Sequence, residues 1–353
     1  MRPERASEEP EFGDLPDILR PREETRLVGH EAAEAAFVAA LRAGRLHHAW
    51  LIGGPPGIGK ATLAYRVARW LMANPRLEAV PDRLDVAPGH PAARQVAALS
   101  HPNLVALRRV QPPTAKTLPT KISVDAARKA LDLFGSTAGN DGYRVCVVDS
   151  AEDLNANSAN ALLKMVEEPP PRSLFLIVSH APGRLLPTIR SRCRALALRA
   201  LAEGEVRAVL DGLPPPFERP EPDRLARAAA LAEGSVARAV AMLDPATMAV
   251  VAEVEALLRT LHDPDWRRVL KLADRLSGRE AEALFATTLD TATRFLSGEI
   301  DRRRGEGTAR LMALVEASDA IATAAREAAV YNLDRRPVVL SLFGELVGAM
   351  RGA

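Results

Sequence analysis

Apolar residues fall into short unbroken runs in the first half of this chain and into long helical stripes in the second. His48-Ala49-Trp50-Leu51-Ile52, Val145-Cys146-Val147-Val148 and Leu174-Phe175-Leu176-Ile177-Val178 have no polar alternation and read as strands buried on both faces. Leu104 to Arg108 adds a weaker candidate strand. Between them lie helical patterns. One runs from Glu31 to Ala43, and another places Leu63, Ala64, Val67, Ala68 and Leu71 on one face. A third opens at Ile122-Ser123-Val124-Asp125 and runs to Leu133. A fourth, capped by Asn157, continues to Glu168 and stops at Pro169-Pro170-Pro171. Strands apolar on both sides and alternating with helices predict an α/β fold whose parallel sheet is covered on both faces.

After Leu198 the strand signals cease. Ala202 to Leu243 reads as short helices around Gly212-Leu213-Pro214-Pro215-Pro216. Pro245 to Ala353 is helical in pattern, with breaks near Asp263-Pro264, Ser277-Gly278 and Gly305. The segment from Asn74 to Asn103 is Pro-rich and aperiodic, which predicts a surface excursion. No internal repeat is visible. The expected organisation is an N-terminal arm (1–25), an α/β domain (26–200), a small helical domain (201–244) and a larger all-α domain (245–353).

Composition adds bounds. A length of 353 residues suits two or three domains. The net charge of +2 means that any nucleic-acid contact must come from a local patch or a partner. Two cysteines, Cys146 and Cys193, exclude a disulfide framework and a four-cysteine zinc site. No apolar leader and no run of 18 uncharged apolar residues occurs, so the expected location is cytoplasmic, away from membranes.

The chemistry is concentrated in Gly54-Pro55-Pro56-Gly57-Ile58-Gly59-Lys60, which follows a predicted strand and opens a predicted helix. That context makes it a P-loop. Its glycines let backbone N–H groups close on phosphate oxygens, and Lys60 neutralises charge. The pattern calls for Ser or Thr after the lysine, as a Mg²⁺ ligand. Ala61 stands there, and the hydroxyl comes one residue late, at Thr62. Asp149 ends a strand where a second Mg²⁺-orienting acid belongs, but Ser150 follows it where the water-activating glutamate is expected. Glu152 lies out of register for that task. Both losses fall on Mg²⁺ and water chemistry, whereas the phosphate cradle is kept. Past the last predicted strand, Ser191-Arg192-Cys193 exposes an arginine near the domain's edge, positioned to reach a neighbouring subunit's γ-phosphate.

Leu27-Val28-Gly29-His30-Glu31, the P-loop, Asp149, Asn160-Ala161-Leu162-Leu163-Lys164-Met165-Val166-Glu167-Glu168-Pro169-Pro170 and Ser191-Arg192-Cys193 together resemble the AAA+ subunits of bacterial clamp loaders, from Pro21 to Arg199. Tyr331-Asn332-Leu333-Asp334-Arg335-Arg336 resembles the start of such a subunit's last helix. The resemblance implies a AAA+ P-loop domain, a helical lid and a C-terminal collar that assembles a hetero-pentamer with motor and delta subunits. That complex loads a sliding clamp at primed DNA within a DNA polymerase III holoenzyme. It implies a stator subunit that itself neither polymerises nor hydrolyses ATP efficiently, with Arg192 acting in trans. By position it puts Val28 and Gly29 near an adenine, and Gly54, Gly57, Gly59, Lys60, Ala61, Thr62 and Asp149 around phosphates.

The departures from that family are as informative as the match. Motor subunits carry Ser or Thr at the position of Ala61 and an acid at that of Ser150. Many relatives hold zinc in the segment equivalent to Asn74–Asn103, which here has no cysteine, so no metal is expected. The lid arginine of motor subunits falls at Ala237, with Arg238 one step on. Bound ATP with an impaired Mg²⁺ site is compatible with these residues. Two rival readings are an active motor in which Thr62 and Glu152 compensate, and a stand-alone DNA-binding adaptor. His180 reads equally as a sensor-like polar group or a turn residue, His47-His48 as a strand entrance, Arg302-Arg303-Arg304 as a solvated helix end, and Trp266 with Leu270 as collar packing.

Overall fold

The structure, a computed structural model, describes residues 18–352 apart from 112–118, 120, 123, 136–141, 215–216, 279–280, 304, 306–307 and 332. The chain divides into two compact units, Met1–Val240 and Ala241–Ala353.

In the first unit, α1 (Glu31–Arg42) leads to β1 (Ala49–Gly53), the glycine loop and α2 (Lys60–Ala73). Then follow α3 (Pro91–Ala97), β2 (Leu104–Arg108), α4 (Val124–Gly135), β3 (Arg144–Asp149), α5 (Ala156–Glu167), β4 (Ser173–Ser179), α6 (Pro187–Arg190) and β5 (Arg194–Ala197). Three short helices close the unit: α7 (Glu203–Asp211), α8 (Pro222–Leu231) and α9 (Val236–Ala241). The sheet order is β2-β3-β4-β1-β5, and every pairing is parallel.

The unbroken apolar runs are explained by burial on two sides. Trp50, Ile52, Val145, Val147, Leu174, Leu176 and Val178 face a core shared with Phe37 of α1 and Leu63 and Val67 of α2. Their alternates Ala49, Leu51, Cys146, Val148, Phe175 and Ile177 face a second core with Ala130, Phe134 and Leu162. Period-two alternation thus exists between two cores rather than between core and solvent.

Four sequence expectations change in the first unit. The helix expected to be capped by Asn157 is capped by Asn155, whose Oδ1 accepts from Ser158 N at 2.9 Å. The 74–103 segment is no bare excursion, because it contains α3 and buries Leu84, Ala92, Ala93 and Val96. A fifth strand, β5, follows Ser191-Arg192-Cys193, so this motif precedes the sheet's edge strand instead of trailing the sheet. Its residues are largely exposed, which removed the apolar signature that marks the other strands. The end of the predicted arm is held firmly. Arg69 Nη2 donates to the carbonyls of Arg22 (2.8 Å) and Glu24 (3.0 Å), and Arg66 Nη1 donates to Thr25 O (2.7 Å).

These arginines are themselves buried on α2, and Arg66 pairs with the equally buried Glu34 at 2.6 Å. Glu34 Oε1 also accepts from Leu84 N at 2.7 Å, and Arg66 Nη2 reaches Asp85 at 2.6 Å. One network therefore ties α1, α2 and the segments flanking them.

The second unit is wholly helical among the described residues: α10 (Pro245–Leu258), α11 (Trp266–Leu276), α12 (Glu282–Arg302), α13 (Thr308–Tyr331) and α14 (Arg335–Gly352). Asp244 caps α10 and Asp265 caps α11 through backbone N–H groups two and three residues on. Val254, Leu257, Leu272, Leu276, Leu296, Leu314, Leu342, Phe343 and Leu346 build its core. Trp266 and Leu270, expected as packing residues, are 43% and 38% exposed. Val269, Leu272 and Leu276 form the buried stripe of α11, leaving Leu270 on its flank, and Trp266 opens the helix with its side chain beyond the core's edge.

Removing Glu34 leaves the buried Arg66 guanidinium with Asp85 as its remaining carboxylate and takes the acceptor from Leu84 N. Glu34→Ala is expected to destabilise the first unit by about 1–3 kcal/mol in urea denaturation. The double change Glu34→Leu with Arg66→Met is expected to recover most of that loss. A cost below about 1 kcal/mol for the single change would show that the pair is not sealed from water.

Candidate functional site

In a parallel sheet every strand delivers its carboxyl end to the same edge. Here that edge collects the glycine loop after β1, Asp149 at the end of β3 and Ser179 at the end of β4. Gly53 and Ser179 are paired in register, and Asp149 lies one strand further across. The P-loop residues and Asp149 expected from the sequence are thus brought to one edge.

The loop has the conformation that its glycines permit. Gly54, Gly57 and Gly59 all have positive φ, at 149°, 74° and 99°. A side chain on Gly57 would collide with Ser235 and Ala237, because the carbonyl of Gly57 accepts from Val236 N at 2.9 Å. The start of α9 therefore rests on the loop. From the other side, the buried His30 donates through Nε2 to Ile58 O at 2.6 Å.

Lys60 is only 3% exposed, and its ammonium donates to Gly54 O at 2.7 Å and to Pro55 O. Burial pushes its pKa down to about 8, against the upward pull of Asp149 and Glu152. The backbone cradle and the lysine suit a phosphate group. After the lysine, Ala61 offers no side-chain oxygen, and Thr62 is rotated about 100° around α2 from it.

Glu152 is committed elsewhere. Its Oε1 accepts from Ser179 Oγ at 2.5 Å and from the backbone N–H groups of His180 and Ala181, each at 2.9 Å. Burial pushes the carboxyl's pKa up, but these donors outweigh it and leave the pKa lowered overall. An ionised carboxylate with one oxygen saturated this way fastens the end of β4 to the turn after β3. The sequence left Glu152 without a partner, since nothing in its spacing indicates that β4 lies beside β3. His180 sits in the same cluster. Burial first and Lys60 second press its pKa down to about 4, with Glu152 pulling the other way.

Arg192 lies at the opposite end of the sheet. It follows α6 and precedes β5, whose Arg194 pairs with Trp50 at the start of β1. Arg192 lies in the turn before β5 and lines a cavity together with His48, six residues before Gly54. At 3.3 Å per residue this places it about 20 Å from the chain's own P-loop. Its guanidinium donates to Thr188 O at 3.0 Å and pairs with Glu167, the last residue of α5, at 2.9 Å. Beside it opens a cavity of 440 Å³ lined by His47, His48, Val166, Glu167, Glu168 and Ser191. His47 and His48 stack at 4.4 Å just ahead of β1, the strand entrance that the sequence suggested.

Val28 lines a separate cavity of 410 Å³ with Leu27, Arg83 and Val86. Gly29 packs against Leu201 and Glu205 of the α7 region. The neighbouring thiols are inert at ordinary pH, since burial pushes Cys193 up to about 11 and Cys146 up to about 12. Among the described residues no group of His, Cys, Asp and Glu is arranged to hold a metal ion. No described helix is long and apolar enough to cross a membrane.

Residues 29–202 match the family described as DNA polymerase III, delta subunit. The chain is 38% identical to DNA polymerase III subunit delta' of Pseudomonas aeruginosa over 146 residues, covering 41% of each protein. It is 37% identical to the Yersinia pestis subunit delta' over 150 residues, 42% of this chain and 41% of that one. Against the tau subunit of Escherichia coli it is 28% identical over 307 residues, 85% of this chain and 45% of the relative. The chain thus spans less than half the length of the curated relatives it matches. Among solved structures, a gamma-subunit-related DNA polymerase III protein of Thermotoga maritima aligns with 88% of this chain and 98% of its own, at 15% identity and a TM-score of 0.41.

The sign of the His180 shift gives a pH test. A histidine near 4 in the folded chain and near 6.5 when unfolded resists a proton that the unfolded chain accepts. Its contribution therefore erodes as pH falls from about 6.5 toward 4. An NMR titration should show the His180 ring neutral down to about pH 5. A midpoint near 6.5 would contradict the buried cluster. Glu152→Gln should cost about 1–3 kcal/mol, because the donors at its Oε1 lose a charged acceptor.

Proposed function

We propose that this chain, whose residues 29–202 match the DNA polymerase III delta-subunit family and which is similar to delta' and tau subunits, is a clamp-loader stator of the delta-prime kind, which supplies Arg192 to the ATP of an adjacent motor subunit and does not hydrolyse ATP itself. The observation that carries this reading is topological: Arg192 lies about 20 Å from the chain's own glycine loop, at the other end of parallel strands. An arginine placed there cannot serve the nucleotide of its own subunit. It can serve one presented by a neighbour.

The chain's own site supports the same reading. Ala61 offers no metal ligand, and Ser150, 3% exposed, takes the place of the water-activating acid. The rival motor reading needs Glu152 as the compensating base, yet its Oε1 is held by Ser179, His180 and Ala181 and its Oε2 is buried away from water. In this account Gly54, Gly57, Gly59 and Lys60 hold phosphate without turnover, with Val28 and Gly29 on the adenine side and Asp149 at the rim. The adaptor reading needs a basic body, and the net charge is +2.

On this proposal residues 26–200 are the AAA+ domain, 201–244 the lid and 245–353 a collar that assembles with motor and delta subunits in the cytoplasm. Sliding clamp and primed DNA are met through the whole complex. The function of the stator is geometric: it holds one guanidinium at a fixed place on a rigid sheet edge.

The isolated chain should show negligible ATPase with Mg²⁺. In the reconstituted loader, Arg192→Ala should depress DNA-stimulated ATPase by removing the contribution of one site, which loses roughly 10³-fold or more. Arg192→Lys should not restore it, because an ammonium lacks the planar fork. Brisk hydrolysis by the purified chain would sink this reading.

A further inference from the structure

The arginine edge contains an acid that the proposed function does not use. Glu167, the last residue of α5, accepts from Arg192 Nη2 at 2.9 Å, while Nη1 is anchored on Thr188 O at 3.0 Å and lies 3.4 Å from Ser191 Oγ. Resting on the stator reading, we propose that Glu167 is a positioning residue that holds Arg192 in the free subunit and is exchanged for the neighbour's γ-phosphate on assembly.

The chemistry requires an exchange. A carboxylate and a phosphate compete for the same N–H edge of a guanidinium, both seeking short, charge-assisted contacts. Nη2 cannot keep Glu167 and at the same time offer its full fork to a nucleotide. The magnitude allows the exchange. The two side chains are 39% and 43% exposed, and ion pairs at such exposure are worth only about 0–1 kcal/mol. A sealed pair would cost several times more to part and would trap the arginine. The cavity of 440 Å³ beside the pair, bounded by His47, His48 and Ser191, gives the guanidinium room to leave. On leaving, Nη1 also gives up Thr188 O, a single exposed hydrogen bond that water can replace.

Glu168 lines the same cavity and is likewise exposed, yet Arg192 pairs with Glu167. It therefore serves as an internal control for loss of negative charge.

The latch reduces the fraction of subunits whose arginine is free to engage, so it acts on apparent affinity and not on the saturated rate. In a reconstituted loader with clamp and primed DNA, Glu167→Gln should lower the KM for ATP by about 1.5- to 5-fold, the range of an exposed pair, with kcat unchanged. Glu168→Gln should match the unaltered chain. If Arg192→Ala depresses turnover while Glu167→Gln leaves KM unchanged or raises it, the latch is wrong and the stator reading stands. An equal shift from Glu168→Gln would reduce the effect to general charge and overturn the latch. Normal turnover with Arg192→Ala would overturn both.

Discussion

The parallel direction of β5 and β1 is the constraint from which the functional reading follows. Two parallel neighbours place whatever precedes one and whatever follows the other at opposite ends of the sheet. Gly54-to-Lys60 follows β1, and Ser191-Arg192-Cys193 precedes β5. The register Trp50 to Arg194 therefore separates a phosphate cradle from an exposed arginine by the length of a strand. Burial of β1 and β4 on both faces makes that separation rigid, since a slip of one residue would exchange the residues of two packed cores. A stator needs such rigidity, because an arginine displaced by an ångström is poorly aimed at another subunit's nucleotide.

The carboxyl edge has a different role. Several of its polar groups hold one another: Lys60 with loop carbonyls, Glu152 Oε1 with the end of β4, Gly57 with the start of α9, and His30 with Ile58. These hydrogen bonds connect α2, the turn after β3, the end of β4 and the small helices. The loss of the metal hydroxyl at Ala61 is consistent with an edge that carries structure.

The sheet and its order of elements were legible because strands apolar on both faces admit few other folds, and the glycine loop marked the candidate site after β1. Arg192 was legible as an exposed arginine in a recognisable triplet. What escaped were features made by tertiary proximity. Four-residue β5 has too few buried positions to leave a pattern. Asn155 and Asn157 are equivalent caps on paper, and in the fold the first accepts from Ser158 N. Arg66, Arg69 and Glu34 look like solvated charges on a helix, yet the 18–25 and 74–103 segments cover them. Glu152 and Glu167 gained partners only once β4 and α6 were in place. Trp266 and Leu270 failed as core predictions because an i, i+4 pair defines a face without saying what lies against it.

The central claim is that Arg192 works on a neighbour's nucleotide while this chain's own loop does not turn over ATP. It is tested most directly by determining the structure of the assembled loader on primed DNA with a non-hydrolysable ATP analogue. The account predicts the Arg192 guanidinium at about 2.7–2.9 Å from phosphate oxygens bound to the adjacent subunit, released from Glu167. An arginine that reaches no nucleotide in that assembly, or a Mg²⁺ ion coordinated for hydrolysis in the Gly54–Lys60 loop, would contradict it.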